Sequence, residues 1–176
     1  MEEREAITQL IGESARLLSR QHYSDAQIEA AIATIFGVDT DLIEDETYFV
    51  AESEGQLVGC GGWSKRKTLF GGDQYSSRDR GYIDPESEPA RIRAFFIHPN
   101  HARKGIARAI LSRCEDEARA QSFRALELLA TLPGIEFYKS CGFVETGNLD
   151  LDLEDNLKLE FVPMRKELTI SPGTCR

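Results

Sequence analysis

The sequence predicts one mixed α/β or α+β domain with a central sheet. Three observations carry that expectation. Two amphipathic helical runs open the chain, β-prone and helical segments then alternate, and 176 residues with 41% hydrophobic and 29% charged content suit a single core over residues 1–176 without disulfide or metal staples.

From Glu2 to Gln21, Ile7, Leu10, Ile11, Leu17 and Leu18 recur at helical spacing between charges, the pattern of a helix with one buried stripe. Ser24 followed by Gln27 is a capping-box pair, and Ile28, Ile32, Ile35 and Phe36 mark one face of a second helix that Gly37 stops. Thr47–Ala51 and Leu57–Cys60 are β-prone runs either side of Glu52–Gln56, an antiparallel hairpin. The polar stretch from Lys65 to Glu88 is long for a connection inside a compact domain, and such loops often border a substrate site.

Ala90–Ile97 reads as the next strand. It feeds the basic turn His101-Ala102-Arg103-Lys104-Gly105 and then a helix whose stripe is Ile106, Ile110, Cys114 and Ala118, with Leu111 beside it. Ala125–Ala130 is a short apolar strand, Pro133 opens a brief helix through Ser140, and Gly142 ends it. Val144–Leu153 and Leu157–Val162 complete the set as two strands, the second running towards Met164.

With 21 Lys and Arg against 30 Asp and Glu, the net charge of −9 argues against a nucleic-acid partner and mildly favours a cationic one. No run of roughly 18 to 20 apolar residues exists to cross a membrane. Cys60, Cys114, Cys141 and Cys175 are scattered without a C-x-x-C pair or secretory leader, so a reduced, cytoplasmic protein is expected.

The turn before the third long helix is the first candidate site. A helix N-terminus presents unpaired N–H groups and partial positive charge, Arg103 and Lys104 add full charges, and Gly105 lets the main chain approach an anion closely. It is not a P-loop, and Gly59-Cys60-Gly61-Gly62 does not complete G-x-G-x-x-G. Tyr138 is the second candidate. A phenol can donate a proton to a departing thiolate, although an isolated tyrosine is more often a packing aromatic.

Taken together, the strand ending Phe-Phe-Ile-His-Pro, the basic Gly turn opening a helix, a second strand and Phe137-Tyr138-Lys139-Ser140-Cys141-Gly142-Phe143 resemble the GNAT superfamily of acyl-CoA-dependent N-acyltransferases, from Ile92 to Phe143. The resemblance implies a mostly antiparallel sheet flanked by helices and splayed at the cofactor site. It also implies that acetyl-CoA (coenzyme A) binds along Phe96, Ile97, His98, Arg103, Lys104, Gly105, Ile106, Ala107 and Arg108, with Tyr138 as proton donor to the sulfur. The family turn is Q/R-x-x-G-x-G/A; here it reads Ala102 to Ala107, so Ala102 lacks one side-chain contact while the backbone donors remain. Thr131 stands where relatives carry a cofactor-contacting Asn. Phe95–Ile97 is expected to offer main-chain groups to the pantetheine arm, one N–H reaching the thioester carbonyl.

The family usually begins with a strand ahead of the first helix, whereas this sequence starts almost directly in the helix at Glu2, so either that strand is absent or the start is shortened; an absent strand would expose a sheet edge and favour a homodimer. The acceptor is expected to be a small-molecule amine reached from the opposite side of the sheet, acetylated directly in a ternary complex. A non-catalytic acyl-CoA-binding module is the rival reading. No general base is assigned, since Glu52, Glu54 and Glu127 all read as surface charges; His98 and His101 lack partners for a metal site, and Cys141 has no local histidine to make it a nucleophile.

Overall fold

Helix α1 (Glu2–Ser19) buries Ile7, Leu10, Ile11 and Ala15 along one stripe. It stops two residues before Gln21, where the carbonyl of Ser19 accepts the N–H groups of His22 and Tyr23. The computed structural model describes residues 2–169, so Cys175 lies outside the described residues.

Helix α2 (Asp25–Thr34) opens with the expected capping box. The Gln27 amide donates to Ser24 Oγ at 3.2 Å and the Ser24 amide donates to Gln27 Oε1 at 2.8 Å. We expect Ser24→Ala to cost about 1 kcal/mol, read as a fall of roughly 2–4 °C in the unfolding midpoint; an unchanged midpoint would show that the cap carries nothing. The helix ends before Phe36, because Ile35 leaves helical geometry at φ −129° and both the Ile35 and Phe36 amides turn back to Ala31. A third helix, α3 (Thr40–Glu44), has only five residues, too few for a readable period.

Strands β1 (Tyr48–Ser53) and β2 (Gln56–Ser64) form the hairpin, joined by Glu54 and Gly55, both at positive φ. The two residues of the turn replace the five expected, and β2 runs on through Ser64. Gly61 and Gly62 carry it past its neighbours: a Cβ on Gly61 would stand 2.6 Å from the Phe95 ring, and one on Gly62 2.5 Å from the Thr47 carbonyl. Close packing, and not phosphate binding, accounts for this glycine run.

Strand β3 (Ala90–Ile97) lies antiparallel to β2 and parallel to β4 (Ala125–Thr131). The single strand expected over Val144–Leu153 is two: β5 (Val144–Glu145) and β6 (Leu149–Asp152) pair with opposite ends of the long β7 (Lys158–Glu167), which is antiparallel to β4. The order is β1-β2-β3-β4-β7-β5, with β6 also on β7, so β3–β4 is the one parallel neighbour pair among the described residues. No strand precedes α1 among the described residues, and β1 pairs only with β2.

Helices α4 (Ile106–Ala120) and α5 (Ile135–Ser140) cover one face of the sheet, with Ile110, Leu111, Cys114, Tyr138 and Phe143 in its core. Helices α1 and α2 cover the other, packing Ala15, Ile28, Ala31 and Ile35 against Leu159 and Phe161. Gly142, at φ 90°, supplies the left-handed residue just past α5.

The polar stretch 65–89 is tied down by charge. Arg66 grips Asp45 at 2.7 and 2.8 Å, while Arg78 reaches Asp39 at 2.6 Å, Asp41 at 2.5 Å and Asp73 at 3.0 Å. Asp39 and Asp41 are each only 1% exposed, and several guanidinium groups converge on them. Burial pushes the Asp39 carboxyl above its ordinary range against the pull of Arg93 and Arg78; the Arg66 hydrogen bond holds Asp45 below it.

Candidate active site

Parallel pairing of β3 with β4 stops after Ala90↔Leu126 and Arg91↔Glu127. Beyond those residues the two strands have no ladder between them, and a cavity of about 800 Å³ lined by both occupies the gap. A bulge re-aims β3 at this point. Between the Gly62↔Arg93 and Cys60↔Phe96 pairs, β3 spends three steps against two on β2, with Ala94 at φ 57°. Phe95 consequently faces the α4/α5 side, 6.4 Å from the Tyr138 ring, and Phe96 faces the other side, edge-on to Phe36 at 5.6 Å.

At one end of the cavity lies the basic turn. Arg103 (φ 65°) and Gly105 (φ 84°) both adopt the left-handed conformation, and no side chain caps α4. The first backbone bond of the helix runs from the Ala109 amide to the Gly105 carbonyl at 3.0 Å. The main-chain N–H groups from Arg103 through Arg108 therefore have no partner among the described residues. Six consecutive free donors at a helix N-terminus form a nest for an anion, strengthened by the helix dipole. Arg108 crosses from α4 to Ser140 Oγ on α5 at 3.0 Å, closing this end of the cavity.

Tyr138 lines the same cavity. Its ring packs against Phe95, Phe137 and Phe143 with centroids 5.0–6.4 Å apart, and 8% of the residue is exposed. No group among the described residues holds its hydroxyl by a hydrogen bond, and burial pushes the phenol well above its ordinary value. The phenol therefore stays protonated, the form that donates.

The cavity thus gathers Phe96, Ile97, Arg103, Gly105, Ile106, Ala107, Arg108, Thr131 and Tyr138. His98 and Lys104 do not line it. His98 Nδ1 accepts the Asn100 amide at 3.2 Å, and its Nε2 lies 3.4 Å from the Glu13 carboxylate. The Ile97 amide, one of those expected to serve a thioester, donates instead to Ser14 Oγ at 3.2 Å.

Leu69–Gly72, within the long polar stretch expected to border a site, lines the cavity, and so do Ser14 and Arg93, which sequence reasoning missed. Ser14 comes from α1, far away in the chain, and Arg93 lies on β3 itself but carries no local motif. None of Glu52, Glu54 and Glu127 lines it; Glu127 pairs with Arg91 where β3 and β4 part.

The GNAT acetyltransferase family model matches residues 7–143. An Azospirillum brasilense protein described as an IAA acetyltransferase is 28% identical over 147 residues, covering 81% of this chain and 80% of that protein. Among solved structures, a GCN5-related N-acetyltransferase from Rhodopseudomonas palustris superposes with a TM-score of 0.70 at 16% identity, over 95% of this chain and 91% of its own. The PaiA N-acetyltransferase of Thermoplasma acidophilum, solved with coenzyme A, gives 0.64 at 15% identity over 94% and 93%.

Proposed function

The chain belongs to the GNAT acetyltransferase family, and on that premise we propose that it moves the acetyl group of acetyl-CoA directly to a small-molecule amine, both substrates being bound at once. The observation that carries this reading is the joining, in one cavity, of the basic turn residues Arg103 and Gly105–Arg108 with their free amides, of Tyr138, and of a chamber on the α1/α2 side. Acetyl-CoA supplies the activated acetyl thioester.

The residues divide the work by position. The Arg103–Arg108 amides, with the Arg103 and Arg108 guanidinium groups, hold the diphosphate; the gap beside Phe95–Ile97 takes the extended arm; Thr131 offers a hydroxyl across it. Tyr138 gives its proton to the departing sulfur as the amine nitrogen takes over the acetyl carbon, and the proton lost by the amine leaves to water. In the chamber the amine approaches from the sheet face opposite α4 and α5.

No described helix is long and apolar enough to cross a membrane. Cys60, Cys114 and Cys141 are free thiols, which supports a reducing, cytoplasmic setting. The open edge of β1 is the surface through which a homodimer would form.

The test is release of free thiol from acetyl-CoA in the presence of primary amines, with the acetylated product identified by mass. Amine-dependent release supports the reading. Tight coenzyme A binding without transfer to any amine overturns it.

A further inference from the structure

The chamber on the α1/α2 side is framed by Leu18, Phe36, Leu69, Phe70, Leu129 and Phe161. Phe70 lies 6.1 Å from Phe161 at 33° and Phe36 stands edge-on to Phe96, so aromatic faces and edges look into one space. Its roof is held in place by backbone. The Gly72 amide donates to the Ile35 carbonyl at 2.7 Å, and a Cβ on Gly72 would stand 2.8 Å from Gly37 main-chain atoms.

Few charged groups line this space. Of all the residues lining the cavity, the only carboxylate among the described residues is Glu136, on the α5 side and pointing to solvent with its side chain 87% exposed. Arg93 is the cation of the chamber wall. It is paired with Asp39 at 2.5 Å, both side chains being 1% exposed, and it donates to the Gly71 carbonyl at 2.9 Å, which holds the roof, while its Nε and Nη1 have no acceptor among the described residues. The excess acidity of the whole chain is therefore not expressed where an acceptor would sit. A polycation entering the chamber would lose its hydration and find no carboxylate to replace it, whereas an apolar ring would gain by leaving water.

We propose that the acceptor is a primary amine carried on an aromatic ring, an aryl or arylalkyl amine bound as the neutral amine, and that polycationic acceptors are rejected. This rests on the acetyltransferase reading and deepens it. The ring packs against the wall formed by Phe70, Phe161 and Phe36, and the amine points through the gap towards Tyr138. With no carboxylate in the chamber to take the proton, the amine sheds it to water on entry.

The experiment compares 2-phenylethylamine, ethylamine and spermidine as acceptors with acetyl-CoA, and measures their binding to the coenzyme A-loaded protein by calorimetry. The expected result is kcat/KM for 2-phenylethylamine at least about tenfold above both others, the ring's burial supplying the difference. In Phe70→Ala that preference over ethylamine falls at least about threefold while KM for acetyl-CoA stays within about twofold. Spermidine as the better acceptor, or equal rates for 2-phenylethylamine and ethylamine, overturns the inference even if transfer itself is real. If no amine releases thiol, the transferase reading falls on its own, and calorimetry still decides the chamber. Binding of 2-phenylethylamine above ethylamine upholds the aromatic site, and its absence removes it. The wild-type comparison stands whether or not Phe70→Ala folds.

Discussion

Gly105→Asp is expected to weaken coenzyme A binding at least about a hundredfold while the protein remains folded. Two causes add. Gly105 holds φ 84°, a conformation that costs an L-residue roughly 1–2 kcal/mol, so the turn relaxes and the free amides from Arg103 to Arg108 no longer converge. The new carboxylate also stands at the N-terminus of α4, where it caps the donors meant for an external anion and repels the diphosphate. Steric clash plays no part, because a Cβ at this position meets nothing within 4 Å. Gly105→Ala carries the strain without the charge and is expected to lose about tenfold or less. Calorimetric titration with coenzyme A, alongside an unfolding curve for each variant, separates these effects. Retained affinity in the aspartate variant would mean that the anion binds elsewhere.

Tyr138→Phe is expected to lower turnover at least about tenfold, with the dissociation constant for coenzyme A within about twofold of the original. The phenyl ring keeps its packing against Phe95, Phe137 and Phe143, so only the hydroxyl is lost. The pH profile gives a second readout. Burial raises the phenol above its ordinary value near 10, so Tyr138 remains protonated and its folded form is intact from acid to mildly alkaline pH. Turnover should then rise with pH as the acceptor amine loses its proton, without a descending limb from Tyr138 below about pH 10. A variant as fast as the original, or a descending limb near neutrality that the variant lacks, would remove this proton transfer from the mechanism.

The strand, turn and helix that build the cofactor end were legible because each is a local event. Apolar alternation in Ala90–Ile97, a glycine where the chain turns and a period near 3.6 after it are properties of contiguous residues. The Ser24–Gln27 cap and the αL glycine after α5 were legible for the same reason. The split between β5 and β6 was not, because both segments are β-prone and the break reflects where each meets β7. Nor was the left-handed Ala94, since an alanine carries no signal for the bulge that a partner strand imposes.

The acceptor chamber marks the other limit. Net charge led towards a cationic acceptor, yet the cavity wall carries no carboxylate but Glu136 among the described residues. The buried acids Asp39 and Asp41 are instead consumed by arginines from residues 66–93, an arrangement spread over some fifty positions of chain.

By itself, then, the amino-acid order determined the family resemblance, the candidate anion-binding turn and the candidate proton donor, all of which depend on neighbours within a few residues. Only the tertiary structure decided that β3 and β4 part after two paired positions, that Ser14 takes the Ile97 amide, and that the space on the α1/α2 side is lined by aromatic rings with no carboxylate among the described residues. The physical reason is that burial, desolvation and the pairing of charges depend on which distant segments meet, and no local pattern of residue types encodes that meeting.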